Sequence, residues 1–354
     1  MEVQGLDFDV VVVGAGPAGA SAARAACKVG VSVLLIDARD NPGSPVQCAE
    51  YVPITVKKYI TLTKGAVIQK IDGLLTYIND ELVSTLAGPG YMLERVVFDR
   101  SLVDGAQQAG VEFWPNTKAI FRTDEGILVS RTGKENVEIK CRVIIGADGP
   151  RSTVGRWMNS ENHKFMVGLQ YNLPLNEYQN STDVYFRSEY RGGYAWVFPK
   201  GLRANVGVGV SLADKDRLPI LIKNFTSSLV ARGKLFAAQP ALKTAGLIPV
   251  GGPLEITQAG NMLLAGDAGG YTHPVTGGGI MNAIVTGQLA GETAAQAVIT
   301  NDLERLSPYS HQCQSFLGRF LERANRQRHD METNWTDNGD QFEALIRRTW
   351  IGFN

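Results

Sequence analysis

Six residues near the start of the chain, Gly14-Ala15-Gly16-Pro17-Ala18-Gly19, constrain the fold more than any other feature. They follow a β-branched run at residues 10–13 and open an Ala-rich helical pattern over 17–29, after which residues 31–36 read as a second strand. Strand, glycine turn, helix and strand make a βαβ unit. In that setting the loop aims backbone N–H groups and the positive end of a helix dipole at one point, where a pyrophosphate can sit. Asp37 closes the second strand, 18 residues after Gly19, a spacing that lets its carboxylate reach ribose hydroxyls. A purely structural tight turn is the alternative, and the strand before, the helix after and the terminal acid together weigh against it.

Two more strand ends carry an acid and glycines. Residues 137–145 read as a strand that runs into Gly146-Ala147-Asp148-Gly149-Pro150-Arg151-Ser152, where Ser152 and Arg156 are placed to fix a turn into a helix. The apolar run 262–265 ends in Gly266-Asp267, and Gly277-Gly278-Gly279 then introduces a helical pattern over 280–299 beginning at Ile280. Between these motifs, residues 41–66 begin as a Pro/Gly loop, 67–98 alternate short strand-like runs with turns, 98–109 are helical, and 111–114, 119–121 and 126–130 read as strands. Residues 165–250 look like an antiparallel layer, with strands near 184–186, 194–198 and 206–210 and a helix near 217–233; 307–329 and 340–350 are helical.

The chain has 354 residues with 35 basic and 35 acidic side chains, so no net charge steers it toward nucleic acid, and 44% hydrophobic residues are enough to fill the cores of about two domains. Cys27, Cys48, Cys141 and Cys313 are too scattered for a zinc site or a disulfide framework, and His163, His311 and His329 show no metal-ligand spacing. No signal peptide and no run long enough to span a bilayer is legible, so the expectation is a cytoplasmic protein with no metal, whose membrane contact, if it has any, is peripheral.

Three strand-end motifs in this order resemble the glutathione-reductase-like FAD fold, in the branch shared by aromatic hydroxylases and geranylgeranyl reductases, over roughly residues 8–300. That resemblance implies an α/β architecture: a Rossmann-type parallel sheet binding FAD, with an antiparallel-sheet substrate domain. The boundaries expected are 1–66, 91–163 and 255–300 for a discontinuous FAD-binding domain, 67–90 and 164–254 for the substrate domain, and 301–354 for C-terminal helices. Within the branch, Gly43-Ser44-Pro45-Val46-Gln47-Cys48-Ala49-Glu50 is similar to the archaeal-type geranylgeranyl reductase loop that brings a cysteine near the flavin. Tyr91-Met92-Leu93-Glu94-Arg95-Val96-Val97-Phe98-Asp99-Arg100 is similar to that family's next segment, and Gly193-Tyr194-Ala195-Trp196-Val197-Phe198-Pro199 to its aromatic strand over the substrate cavity. The chain departs from the family where Glu50 is followed by Tyr51-Val52-Pro53 and where the region after 300 is short.

The cofactor set so implied is Gly14, Gly16, Pro17, Ala18, Gly19, Asp37, Ala38, Cys48, Ala49, Arg95, Ala119, Asp148, Gly149, Gly266, Asp267, Gly277, Gly278, Gly279 and Ile280. Asp267 would hold the ribityl chain, and the helix start at Ile280 would face the pyrimidine edge, favouring the reduced anion. Arg95 would neutralise FAD phosphate or cap a helix. Tyr194, Trp196 and Phe198 alternate, so they share one face of a strand; they wall an apolar substrate tunnel or fill the sheet core. Cys48 and His273 are the catalytic candidates, each with a structural reading beside it.

The implied reaction is hydrogenation of an isoprenoid C=C bond by hydride transfer from N5 of reduced FAD, with an external electron donor, NAD(P)H or reduced ferredoxin. An FAD monooxygenase of the aromatic-hydroxylase type and a flavin-binding protein without turnover are the rivals. Arg347, Arg348, Trp350 and Phe353 mark the segment on which any peripheral membrane contact would fall, and an ordinary solvated helix over 302–330 is the reading preferred to it.

Overall fold

The structure, a computed structural model, describes residues 6–353. Strand Leu6–Val13 pairs in parallel with Val33–Ile36 on one side and Val137–Gly146 on the other; Glu112–Trp114 and Met262–Leu264 extend the sheet outward. A run of four valines suits this place because a parallel strand is covered on both faces, and Val10 to Val13 are all buried. Helices Pro17–Lys28 and Ile280–Ile299 cover one face, and an antiparallel extension, Thr117–Arg122 with Gly126–Arg131, completes the other side. The two helices touch backbone to backbone: a Cβ on Gly287 would lie 2.2 Å from the Ala18 carbonyl oxygen, and one on Gly291 2.1 Å from that of Ala22.

The second sheet runs Leu242–Pro249, Phe165–Pro174, Arg203–Ser211, Tyr194–Lys200, Ser181–Phe186, Val67–Ile78, Glu81–Leu93 and Tyr51–Pro53. Every neighbour pair is antiparallel except Ser181–Phe186 with Val67–Ile78. Helix Leu218–Ala231 covers one face by packing Leu221, Ile222 and Phe225 against Val197, Val206 and Val208. The other face is the one the site uses.

The segment read as short runs over 67–98 is instead two long strands joined by a two-residue turn. Asn79 and Asp80 both adopt left-handed backbone, φ 50° and 70°, which is the geometry of a tight hairpin turn and one that Asn and Asp tolerate. Part of the 41–66 loop, Tyr51–Pro53, forms an edge strand of this sheet, and the helix expected to start at Phe98 starts at Arg95. The C-terminal region holds helices Tyr309–Cys313, Arg319–Thr333 and Gly339–Thr349, with a π-turn over Gln314–Gly318. Among the described residues no helix is long and apolar enough to cross a membrane.

Candidate functional site: a cavity shared by the two sheets

A cavity of about 1020 Å³ is lined by the glycine loops of the parallel sheet on one side and by the open face of the antiparallel sheet on the other. The three glycines of the first loop divide their tasks. Gly14 has φ +100°, and a Cβ there would lie 2.3 Å from the Ala147 carbonyl oxygen; one on Gly19 would lie 1.7 Å from the Gly14 oxygen. Both permit close packing, and Gly19 does not reach the cavity wall. Gly16 is different: a Cβ there would meet no atom within 4 Å, so packing does not demand glycine, and its bare backbone lines the cavity. The helices that begin at Pro17 and Ile280 have no side-chain cap, which leaves first-turn N–H donors open beside a cavity that Gly16, Gly279 and Ile280 line. Uncapped donors and the open space beside Gly16 fit the pyrophosphate of a dinucleotide such as FAD.

The three strand-end acids turn out to differ. Asp37 lines the cavity with Ala38, but its Oδ2 accepts from the Ala15 N–H at 2.7 Å and its Oδ1 from the Arg39 N–H at 2.8 Å, so it also rigidifies the glycine loop. Asp148 lines the cavity too, but its oxygens are taken by its own turn: Oδ1 accepts from Ser152 Oγ at 2.5 Å and Oδ2 from the Thr153 N–H at 2.6 Å, while Ser152 caps the short helix Thr153–Trp157. Its neighbour Gly149, φ +82°, presents open backbone to the cavity. Asp267 accepts from Thr272 Oγ1 at 2.6 Å through Oδ1, and its other oxygen accepts no hydrogen bond among the described residues. Burial pushes the Asp267 carboxyl up, and the Arg95 charge partly opposes that. A cavity-lining carboxylate with one oxygen unpaired suits a polyol chain such as ribityl. Gly266, like Gly19, is off the wall; its φ of +60° and its approach to Ala18 make it a packing glycine.

Cys48, Ala49, Arg95 and Ala119 all line the cavity. The Arg95 guanidinium is held by Asp99 through two bonds, Nε to Oδ1 at 2.8 Å and Nη2 to Oδ2 at 2.7 Å. Burial raises the Cys48 thiol, with the Arg95 charge opposing, so Cys48 keeps its proton at neutral pH. Beside it stands a group that sequence reading missed. Glu50 is 2% exposed and has φ 73°; it accepts from Lys200 Nζ at 2.8 and 3.0 Å, from Asn205 Nδ2 at 2.7 Å and from the Arg95 N–H at 3.0 Å. Its partners lie 45 to 155 residues away in sequence, so no local pattern announces them.

Tyr194, Trp196 and Phe198 line the cavity, as expected of one strand face. The Trp196 indole lies over a glycine floor: a Cβ on Gly207 would come within 2.1 Å of the ring, and one on Gly168 within 3.3 Å. The indole N–H donates to Gln170 Oε1 at 2.9 Å, and Gln170 in turn donates to the Cys48 carbonyl at 3.1 Å. Tyr194 donates to the Thr276 carbonyl at 2.5 Å, tying the aromatic strand to the loop that leads into Gly277, Gly278 and Gly279.

His273 sits at the root of that loop. Its Nδ1 accepts from the N–H groups of Val275 at 3.3 Å and Thr276 at 3.1 Å, and burial pulls its pKa down to about 4, so the ring is neutral. These contacts make it a positioning residue for the loop. No cluster of residues suited to a metal ion occurs among the described residues.

The profile of a family described as FAD dependent oxidoreductase matches residues 9–147, and that of the geranylgeranyl reductase catalytic domain matches residues 165–238. The chain is 34% identical to a digeranylgeranylglycerophospholipid reductase of Methanocella arvoryzae, over 94% of this chain and 89% of that protein. It is 36% identical to the enzyme of the same name from Methanosarcina mazei, over 84% and 77%. Among solved structures, a geranylgeranyl bacteriochlorophyll reductase-like protein from Thermoplasma acidophilum superposes with a TM-score of 0.86 at 26% identity, covering 98% of this chain and 97% of that one. A probable FAD-dependent monooxygenase from Pseudomonas aeruginosa, TM-score 0.68 at 17% identity over 96% and 99%, shares the fold alone. Identity of this extent with the reductases, carried over both sheets and the cavity they enclose, makes this chain a member of the geranylgeranyl reductase family of FAD-dependent oxidoreductases.

Proposed function

We propose that this protein hydrogenates C=C bonds of a geranylgeranyl-type lipid. The observation that carries the reading is one continuous cavity joining a backbone-made dinucleotide cradle to an apolar wall of Tyr194, Trp196 and Phe198. When bound there, FAD supplies the hydride chemistry. Gly16 and the Pro17 helix start hold its phosphates, Asp267 its polyol chain, and the Gly277-Gly278-Gly279 turn and Ile280 helix start its ring edge. An isolated alkene is a poor hydride acceptor, so the aromatic wall must align the chain and exclude water. Tyr194, His273 and Cys48 are among the proton-bearing side chains that line the cavity, and the Tyr51 O–H and the Trp196 indole N–H beside them are committed to Gly88 and Gln170. The Tyr194 O–H is committed to Thr276, and a neutral imidazole such as His273 is a far weaker acid than a thiol. The proton is therefore assigned to Cys48 Sγ.

The reaction test is anaerobic: reduce the bound flavin with dithionite, add a geranylgeranyl lipid, and follow flavin absorbance and product mass. Reoxidation with a saturated product supports the reading; hydroxylated product appearing only with oxygen and an aromatic acid would replace it with the monooxygenase. The electron donor is external, NAD(P)H or a reduced ferredoxin, and the same anaerobic flavin signal discriminates them.

A lipid substrate has to reach this cavity, and we infer that it does so from a membrane surface. The surface differs from the one expected from sequence. Trp350 is 2% exposed, Arg347 pairs with Glu343, and Arg348 pairs with Asp330. Phe316 and Phe320, 62% and 53% exposed, instead stand with Arg319, Arg323 and Arg326 on consecutive helical turns, and Phe320 and Arg323 reach the cavity. None of the three arginines forms an ion pair among the described residues. Phe316→Ser with Arg319→Glu is expected to abolish co-flotation with anionic vesicles; flotation that is absent from the wild type removes the idea.

A further inference from the structure

The apolar part of the cavity has a direction. Its wall crosses the antiparallel sheet strand by strand, from Ile248 and Gly168 through Trp196 and Val184 to Leu74 and Leu86. The glycine turn that leads into the Ile280 helix belongs to the near end: Tyr194 bonds Thr276, and a Cβ on Gly277 would lie 3.3 Å from Ile248. The opposite end is closed by the segment that follows helix Gly339–Thr349, where Trp350 and Ile351 line the cavity beside Leu74 and Leu86.

That segment is fastened to the sheet. The Trp350 indole N–H donates to Thr76 Oγ1 at 3.0 Å, and Ser84 Oγ donates to the Gly352 carbonyl at 2.5 Å. The Trp350 ring packs on Phe186 and Tyr194 with centroids 5.0 and 5.4 Å apart. Gly352 lies so close to strand Val67–Ile78 that a Cβ would come within 2.6 Å of Thr76 Oγ1. The end wall is thus a pinned piece of chain with a large ring at its centre.

We propose that Trp350 and Ile351 form an end stop that sets how long an isoprenoid chain the cavity accepts. The proposal rests on the isoprenoid reading above and goes beyond it by naming the residues that choose among isoprenoids. From the strand of Trp196 to that of Leu86 are three strand steps, roughly 14 Å at a strand spacing of about 4.8 Å. An extended hydrocarbon with bonds of about 1.5 Å advances roughly 5 Å per isoprene repeat. The apolar arm is therefore about three repeats long, and Trp350, whose ring packs on Tyr194 and Phe186, and Ile351 line it, so their side chains decide how much of that length a tail can use. Leu74, Val184 and Leu86 supply apolar contact, and the Thr182 and Tyr51 hydroxyls on the same wall donate to the Gly73 and Gly88 carbonyls, so length is read at the stop.

The test measures binding and turnover of farnesyl, geranylgeranyl and geranylfarnesyl lipids by flavin-loaded protein, with flavin content as the check on folding. Ile351→Ala, at a half-exposed position, opens the end wall; Leu86→Trp fills it; Trp350→Leu is the larger opening. Opening is expected to improve the longest chain relative to geranylgeranyl by at least about tenfold in affinity and in kcat/KM, and filling to shift preference one repeat shorter. Length preference unchanged in Ile351→Ala and Leu86→Trp, with flavin retained, overturns the stop. Length-selective binding that moves with these variants but leads to no reduction would overturn the proposed reaction and leave the end stop standing.

Discussion

The two walls of the cavity are built from different materials. The parallel-sheet wall is made of backbone: Gly14 and Gly19 allow loop, strand and helix to interlock, and Gly16 exposes bare peptide. The antiparallel-sheet wall is made of side chains held by partners distant in sequence, with Glu50 among Lys200, Asn205 and the Arg95 amide, and Trp196 on the Gly207 floor. A backbone wall recognises what every dinucleotide shares, and it belongs to a fold that is shared with solved structures only 16–18% identical to this chain. A side-chain wall can be redrawn residue by residue without disturbing the cofactor, so selectivity belongs there.

If this division is right, the largest single-site effect on folding comes from the side-chain wall. Glu50→Ala leaves the Lys200 ammonium, 16% exposed, with only the half-exposed Glu94 at 3.1 Å. Breaking a buried pair of this kind costs about 3–5 kcal/mol, read as a lower denaturant midpoint of the flavin-free protein; a shift below about 1 kcal/mol would mean that the network is surface-like. A matched pair of glycine substitutions sharpens the contrast. Gly207→Ala drives a methyl into the Trp196 ring and is expected to destabilise by about 1–3 kcal/mol. Gly16→Ala meets no protein atom, so the flavin-free protein should change by only about a few tenths to 1 kcal/mol, while flavin affinity falls at least about tenfold because the methyl occupies the cradle. Equal effects of the two on folding would erase the distinction between the walls.

The same division explains what could be read from the sequence. The βαβ unit, the helix starts at Pro17 and Ile280 and the aromatic strand were legible because each is a local pattern of period and turn residues. Asp148 and Asp267 look the same in sequence and both line the cavity, and only the Ser152 and Thr153 contacts show that the Asp148 oxygens are taken up by its own turn while Asp267 keeps one unpaired. Gly19 and Gly266 match the motif but serve packing. The long hairpin over residues 67–93 was obscured because Gly88, Pro89 and Gly90 read as a turn, whereas the ladder absorbs this stretch with a register shift. Glu50 was visible only as a departure after Cys48; its left-handed backbone and its partners are tertiary facts. The burial of Trp350 was hidden for a related reason: an amphipathic segment near the C-terminus gives no sign of which aromatics the body of the protein will bury.

A difference between two pH curves tests the loop that joins the two walls. His273 titrates near 4 in the folded protein against an ordinary value of 6.5, because burial disfavours its charged form. Between those values the unfolded chain binds the extra proton, so this contribution to stability is present above pH 6.5 and is lost as pH falls toward 4. From pH 7 to pH 5 the loss is about 1–2 kcal/mol. Asp148 and Asp267 work in the opposite sense, since burial raises both and their protonated forms suit the folded state as the medium acidifies. The His273 share is therefore taken as a difference between proteins rather than from one curve. His273→Asn keeps an acceptor for the Val275 and Thr276 amides but cannot titrate, so its stability should fall less between pH 7 and pH 5 than that of the wild type. Parallel curves would show that the ring reaches solvent when protonated and that the loop joining the walls opens without cost, in which case the Tyr194–Thr276 bond alone holds the aromatic strand to the glycine turn.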